Sequence, residues 1–231
     1  MKEIQNIIKR SAGFSSGDKA ILATVVDVVG SGYRRPGARM LIDENGYSIG
    51  TVSGGCLEAD VLTRAKEVLQ TNEPIVITYD TTQDENSVFG LSMGCRGIVR
   101  ILLEPFTKEN LLINKLRQVF TNRKQIFVGT IVSTIEESDI NARIFYSKDD
   151  GFRFVNASET LETFEELQTD IQNFFERDSA SEIRQYKIGE NSFEIFFENI
   201  NPPLNLLLFG AGYDALPLIN FAKEIGWRVT A

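Results

Sequence analysis

The chain has 231 residues, with 24 Lys and Arg against 32 Asp and Glu, and therefore a formal net charge of −8. With 42% hydrophobic residues, its composition is globular rather than disordered, collagenous or disulfide-knit. It contains no histidine, which excludes catalytic triads that need His, His-ligated zinc and imidazole proton transfer. The sequence has no basic stripe of the kind that would indicate nucleic-acid binding, and it has no apolar run long enough to predict a membrane span.

The two cysteines, Cys56 and Cys95, lie 95 − 56 = 39 positions apart. They form no CxxC motif, so a zinc knuckle and a thioredoxin-like motif are excluded. The N-terminal segment is charged and lacks the apolar core of a secretory signal. We therefore expect a cytoplasmic protein whose thiols are reduced.

The first 105 residues are predicted to form a helix, a strand, a hairpin, a second helix and two further strands. The hairpin turns at Asn45-Gly46, a dipeptide typical of type I′ turns. The second helix is expected to start near Cys56 and to stop before Pro74. The other predicted ranges are 1–12 for the first helix, 21–30 for the first strand, 38–52 for the hairpin, and 75–80 and 97–105 for the last strands.

Residues 106–200 continue the alternation of helices and strands, and we find no internal repeat in the chain. Between Asn156 and Glu182 there are eight acidic residues and one arginine, a net charge of 1 − 8 = −7. Apolar residues recur there at helical spacing, which predicts a surface helix with a solvated acidic face. The remaining predicted elements are a helix at about 108–120, strands at 125–134, 142–147 and 152–155, and a hairpin at about 184–199.

The two prolines at Pro202-Pro203 predict a linker. An apolar strand then leads into Gly210, Gly212 and Ala215 at GxGxxA spacing, followed by a helix and a second strand. This pattern is the opening of a Rossmann-like unit, and it makes those three residues a candidate dinucleotide loop for NAD(P). Because the chain ends where the ribose-binding acid is expected, we do not expect this chain alone to bind NAD(P).

The predicted fold is thus α/β, with a mixed-sheet N-terminal region followed by the β-α-β start of a Rossmann-like domain. We divide the chain into residues 1–200 and 201–231. Within the first part, the motifs lie in 1–105, and 106–200 is less diagnostic.

Three glycine-rich clusters carry reactive or charged side chains. In the first, GSGYRRPGARM at 30–40, Arg34, Arg35 and Arg39 flank turn glycines. Such a turn can offer backbone N–H groups and guanidinium groups to an anion. The alternative is a basic surface turn that only joins two strands.

The second cluster is TVSGGCLEADV at 51–61, in which Cys56 is expected at a helix start. The positive end of the helix dipole favours a thiolate, which can bind a soft metal or take part in sulfur transfer. The alternative for Cys56 is a small buried hydrophobic residue. Glu58 either interacts with the helix dipole or faces a ligand. Backbone donors for phosphate or oxo groups are expected at Ser53, Gly54 and Gly55.

In the third cluster, FGLSMGCRGIVRILLEP at 89–105, Cys95 lies between Gly94 and Arg96. An arginine beside the thiol also favours the thiolate. Two thiols and three loop arginines indicate a site for an anionic ligand with a soft centre. Spacing alone does not show whether the loops meet.

The ordered segments GSGYRRPGARM, GTVSGGCLEADV, GLSMGCRGIVRILLEP and LLLFGAGYDALPL resemble the xanthine dehydrogenase accessory protein (XdhC/CoxI) family. The resemblance covers residues 20–105 and 204–231. Arg96 departs from the glycine or asparagine of many members, and Asp214 replaces a small residue usual in a dinucleotide site. Matching positions are Ser53, Gly54, Gly55 and Cys56 for the SGGC motif, and Gly94 and Cys95 for the later glycine-cysteine signature.

The resemblance implies a cofactor-binding chaperone without turnover of its own. Such a protein binds molybdenum cofactor (molybdopterin) transiently, protects it during sulfuration with a cysteine desulfurase, and assists its insertion into a molybdenum hydroxylase client. Cys56 and Cys95 become candidate molybdenum contacts, of which we rank Cys95 first. Exposed strand edges in the last 31 residues further predict a homodimer. The alternatives are an NAD(P)-dependent oxidoreductase and a thiol-based redox or interaction module.

Overall fold

The computed structural model describes residues 1–82, 96–134, 140–177, 179, 181–210 and 212–231. Within these ranges, two five-stranded sheets are built from the first 200 residues, and a parallel strand pair follows. The α/β prediction is confirmed. The expectation of a mixed sheet is wrong, because the strand pairs described in both larger sheets are antiparallel. Short turns join many of these neighbouring strands, and such connections impose antiparallel pairing.

The first sheet has the strand order β3-β2-β1-β5-β4. Alternate residues of β1 face opposite sides, so that Leu22 packs in a cluster with helix α1 and Ile21 packs in a cluster with helix α2. The elements are α1 (Lys2–Ser11), β1 (Ala20–Gly30), β2 (Arg39–Asp43), β3 (Ser48–Gly50), α2 (Glu58–Thr71), β4 (Ile75–Asp80) and β5 (Gly97–Phe106).

The second sheet has the strand order β8-β7-β6-β10-β9. The predicted acidic helix forms as two pieces, α4 and α5, whose apolar residues Leu161, Leu167 and Ile171 are buried. The elements are α3 (Leu111–Asn122), β6 (Ile126–Thr134), β7 (Arg143–Ser147), β8 (Gly151–Val155), α4 (Glu159–Glu162), α5 (Glu165–Glu176), β9 (Glu182–Ile188) and β10 (Asn191–Ile200).

The two sheets repeat one arrangement, so the expectation of no internal repeat is wrong for the fold. In each, a helix precedes the first strand, another helix links the third strand to the fourth, and the first strand pairs with the second and fifth. The central strands β1 and β6 both contain a register shift, at Val26 and Val132 respectively. Short identical segments also occur at equivalent positions of the two copies, such as Ala38-Arg39 at the start of β2 and Ala142-Arg143 at the start of β7.

Four buried charges connect the sheets, and we call them the charge quartet: Arg39, Glu198, Glu104 and Arg143. The Arg39 guanidinium donates to both Glu198 oxygens, at 2.5 and 2.9 Å. In the equivalent positions, Arg143 donates to Glu104 at 2.5 and 3.4 Å. Because β2 and β5 belong to the first sheet and β7 and β10 to the second, each pair crosses the interface.

The β2–β3 hairpin forms as predicted, but its type I′ turn does not. That turn needs positive φ at both central residues, and Gly46 has φ +82 whereas Asn45 is outside the left-handed region. The Asp43 carboxylate instead accepts hydrogen bonds from the backbone N–H groups of Asn45 and Tyr47, both at 3.0 Å. An Asx-type turn therefore determines the local geometry.

The C-terminal residues form the predicted strand–helix–strand order, with β11 (Asn205–Leu207), α6 (Ala215–Glu224) and β12 (Arg228–Thr230). The two strands are parallel. This unit contacts helix α1, where the Gln5 side chain donates to the Gly226 carbonyl at 2.8 Å. Among the described residues, no helix combines the length and apolar character needed to cross a bilayer.

Candidate functional site

Segments from the three predicted clusters meet at one end of the first sheet, which we call the loop end. The Tyr33 ring of the first cluster lies against Gly54 of the second, where an added Cβ would be 3.0 Å from two ring carbons. The backbone N–H of Ser31 donates to the Arg96 carbonyl at 3.0 Å. Arg96 therefore places the described edge of the third cluster beside the first. Gly94 and Cys95 lie outside the described residues.

The three loop arginines have different environments. Arg35 is exposed, whereas Arg34 forms an ion pair with Glu3 of helix α1. The side chain of Arg39 is only 2% exposed. Burial opposes its charge, but the neighbouring Glu198 carboxylate more than compensates and raises the pKa of Arg39.

This geometry corrects the prediction that Arg39 holds an anionic ligand. Arg39 begins β2 and faces the layer between the sheets, where both terminal nitrogens already donate to Glu198. It also donates to the Gly37 carbonyl at 3.0 Å. Arg39 thus anchors the end of the loop at residues 31–38, which we call the arginine loop, to the layer between the sheets. Of the three arginines, only Arg34 and Arg35 are partly or fully exposed.

Glu58 holds the SGGC loop in its folded shape. Its carboxylate accepts hydrogen bonds from the Thr51 hydroxyl at 2.5 Å, from the Ser53 N–H at 2.9 Å and from the Ser53 hydroxyl. The Ser53 hydroxyl oxygen in turn accepts from the N–H groups of Gly55 and Leu57, at 3.2 and 3.1 Å. Partial burial favours a higher pKa for Glu58, but the hydrogen bonds from Ser53 and Thr51 outweigh it and lower that pKa.

The Glu58 contacts distinguish between the two sequence interpretations. Its carboxylate points into the loop rather than towards a ligand, so the structure does not support direct ligand contact. It lies in the first turn of α2, as the helix-dipole interpretation expects. The hydrogen-bonded network is a third role, which the sequence alone did not indicate.

Cys56 is exposed and lies immediately before Leu57, the N-cap of α2. The structure therefore contradicts the alternative of a small buried hydrophobic cysteine. The neighbouring Gly55 has φ +108, a conformation that favours glycine. Within the described ranges, no three His, Cys, Asp or Glu side chains form a metal-binding group.

A pocket of about 330 Å³ lies between the arginine loop and the start of helix α1. Its lining includes the side chains of Tyr33, Arg34 and Arg35 together with Met1 and Glu3. Sequence reasoning missed Met1, Glu3 and Tyr33. Helix α1 is distant in sequence from the glycine clusters, so its approach to the arginine loop had no sequence signal.

The candidate dinucleotide loop belongs to the β11–α6 connection. Gly210 has φ +118, and Ala215 is the first residue of α6. An added Cβ at Gly212 would be 2.5 Å from an Asp214 carboxylate oxygen. The carboxylate that the sequence identified as unfavourable for pyrophosphate therefore lies directly beside this loop.

Comparison with known proteins gives an independent test of the resemblance. Residues 14–80 match the model of the XdhC and CoxI family. The resemblance to the XdhC and CoxI family is confirmed. The XdhC and CoxI match includes the arginine loop and the SGGC loop, and it ends before Cys95.

Two curated proteins extend this similarity. The chain is 31% identical over 213 residues to a probable xanthine dehydrogenase subunit of Bacillus subtilis, covering 92% of this chain and 58% of that protein. It is also 31% identical over 106 residues to the molybdenum cofactor insertion chaperone PaoD of Escherichia coli, covering 45% of this chain and 32% of PaoD. The chain therefore spans less than two thirds of both relatives.

The fold is similar to a crystal structure described as a xanthine dehydrogenase from Bacillus halodurans. The TM-score is 0.72 at 24% sequence identity, and the match covers 99% of this chain and 61% of that one. This likeness supports the described arrangement of sheets and helices across almost the whole chain.

Proposed function

We propose that the chain binds molybdenum cofactor at the loop end of the first sheet and acts in the maturation of a molybdenum hydroxylase. The observation that carries this proposal is the exposed Cys56 thiol on a loop packed against the arginine loop. The XdhC and CoxI match and the similarity to PaoD, a molybdenum cofactor insertion chaperone, support the same ligand class. We propose a binding and transfer role rather than catalytic turnover.

The residues at the loop end fit the chemistry of this cofactor. The exposed guanidinium group of Arg35 suits phosphate oxygens, and Arg34 can add the nitrogens that do not pair with Glu3. Backbone N–H groups near Gly54 and Gly55 can add hydrogen bonds. A cysteine thiolate suits a soft metal centre, which makes Cys56 a candidate ligand. When bound, the cofactor would supply a molybdenum atom already chelated by its pterin.

We retain Cys95 as the preferred molybdenum contact. Its neighbour Arg96 hydrogen-bonds to the first loop, which supports a position of the third cluster at the same end of the first sheet. On this proposal, Cys95 is the first-ranked metal contact, and the exposed Cys56 thiol is the second candidate.

The finer parts of the proposal concern partners and the C-terminal unit. We propose that cofactor sulfuration involves a cysteine desulfurase, that the client is of the xanthine dehydrogenase type, and that the protein acts in the cytoplasm. The exposed apolar residues Leu207, Phe209 and Phe221 support a homodimer. The parallel β11–β12 pair supports a Rossmann-like unit over 201–231, separate from 1–200.

Anaerobic co-purification from cofactor-producing cells tests the proposed function. We expect molybdenum and pterin to co-purify with the wild-type chain in comparable amounts, and both to decrease in Cys95→Ser and in Arg35→Ala. Arg153→Ala removes an exposed arginine from the second sheet and serves as the matched control. Absence of pterin from the wild-type protein would contradict the proposal.

The oxidoreductase alternative is tested on the same preparation. The positive φ of Gly210 and the strand–helix–strand order favour nucleotide binding, whereas Asp214 opposes it. We expect saturating NAD or NADP to leave the melting temperature unchanged. A nucleotide-dependent increase would favour the oxidoreductase.

A further inference from the structure

Tyr33 is an exposed aromatic residue in a sterically defined position. Tyr33 is 71% exposed, yet its ring lies close to the backbone of Gly54. A Cβ added at Gly54 would lie 3.0 Å from Cγ and Cδ2 of the Tyr33 ring. A side chain at position 54 would require the Tyr33 ring to shift by a few tenths of an ångström. The ring is therefore supported by the SGGC loop while most of its surface faces solvent.

The position of Tyr33 connects the two kinds of chemistry at the loop end. Its ring packs on the loop that carries the exposed Cys56 thiol. Tyr33 also lines the 330 Å³ pocket together with Arg34 and Arg35. It is therefore shared by the loop that carries the thiol and the pocket that carries the cationic groups.

We infer that Tyr33 is a ligand-binding residue whose ring stacks against the planar pyrimidinone ring of the cofactor's pterin. This inference rests on the proposed function, because it assigns one part of that ligand to one side chain. Flat heteroaromatic rings stack on exposed aromatic side chains, and a ring already held in place loses little conformational entropy on binding. The phosphate then points towards Arg34 and Arg35.

Other exposed aromatic residues do not share these surroundings. Tyr47, 62% exposed, lies at the β2–β3 turn, where the Arg10 guanidinium is 5.9 Å from its ring centroid. Phe209 and Tyr213 belong to the β11–α6 connection. Tyr33 is thus the exposed aromatic residue that adjoins both the SGGC loop and the arginine pocket in the described structure.

The test measures binding of two probes to the full chain by fluorescence titration. The first probe is molybdenum cofactor released anaerobically from a molybdoenzyme, and the second is 6-carboxypterin, which has the ring and an anionic group but no metal. We expect Tyr33→Leu to weaken both by about tenfold and Tyr33→Phe to bind like wild type. The matched control, Tyr47→Leu, should also bind like wild type.

Gly54→Ala provides a second perturbation that keeps the aromatic ring. Its new Cβ would shift the Tyr33 ring by a few tenths of an ångström, so we expect weaker pterin binding although Tyr33 is intact. Circular dichroism and the melting temperature establish that each variant is folded.

The outcomes separate this inference from the proposed function. If the wild-type chain binds neither probe, the proposed function fails and the inference fails with it. If the wild type binds the cofactor and Tyr33→Leu binds both probes equally well, only the stacking role of Tyr33 is overturned. Weakening by Tyr33→Leu together with retention by Tyr33→Phe supports it.

Discussion

Replacing Glu198 by Gln should strongly destabilise the protein. The substitution keeps the shape of the side chain but removes the charge that faces Arg39 inside the charge quartet. The Arg39 and Glu198 side chains are only 2% and 7% exposed, so water cannot replace the lost carboxylate. Removing one partner of a buried ion pair typically costs about 3–5 kcal/mol. Because whole proteins are stable by only about 5–15 kcal/mol, the effect should be large.

Urea denaturation measures this cost directly. We expect a lower midpoint with an unchanged m value. Glu104→Gln, at the equivalent position of the repeat, should have a similar effect, because it leaves Arg143 unpaired. Asp149→Asn is the control: Asp149 pairs with Lys124, both side chains are at least 60% exposed, and such pairs contribute little.

A double replacement distinguishes charge imbalance from loss of packing. Arg39→Met combined with Glu198→Leu removes both charges, and it should be less destabilising than Glu198→Gln alone. A loss below about 1 kcal/mol for Glu198→Gln would refute the reasoning. So would a double variant that is less stable than the single one.

Four further predictions concern individual side chains. The pKa of Glu58 is lowered, so its contribution to stability is complete above about pH 4.3 and is lost as the pH falls through the folded-state pKa. The free energy of unfolding of Glu58→Gln should therefore depend less on pH in this acidic range than that of the wild type. Burial, and then the hydrogen bonds that Tyr79 and Tyr186 donate to Asp60 and Asp170 respectively, raise the pKa of both phenols. The stability that these two phenols contribute should therefore be lost only at alkaline pH. Tyr79→Phe and Tyr186→Phe should each remove one late step from the tyrosine absorbance titration. Iodoacetamide should modify Cys56 in the native protein without prior unfolding, and mass mapping that finds it protected would contradict its exposure. Arg35→Ala should weaken cofactor retention and reduce its dependence on salt, measured by molybdenum content after washes of increasing ionic strength, with Arg153→Ala unchanged.

Local patterns predicted the elements well because each depended on neighbouring residues. The apolar spacing around Ile7 and the β-branched residues of β1 predicted elements that the structure confirms. The SGGC segment likewise indicated a helix start near Cys56, and the observed helix starts at Glu58.

Features that depend on residues far apart in the sequence were not predicted. Arg39 resembled its exposed neighbours in the sequence, but its partner Glu198 is 159 positions away. Similarly, nothing near Tyr33 indicated that it would lie on Gly54. The repeat was also hidden, since the two copies preserve strand order and a few buried residues rather than continuous sequence.

The repeat allows the loops of each sheet to change independently of the other sheet. In a symmetric homodimer, every substitution appears in both protomers, so a loop adapted to a ligand must also be tolerated at the second copy. Here the two copies are encoded separately. The first sheet has the long connection 81–96 between its last two strands, whereas the second sheet has only Gly189-Glu190 at the equivalent place. One copy can thus lengthen a loop without a matching change in the other, while both sheets continue to supply the charge quartet at their interface.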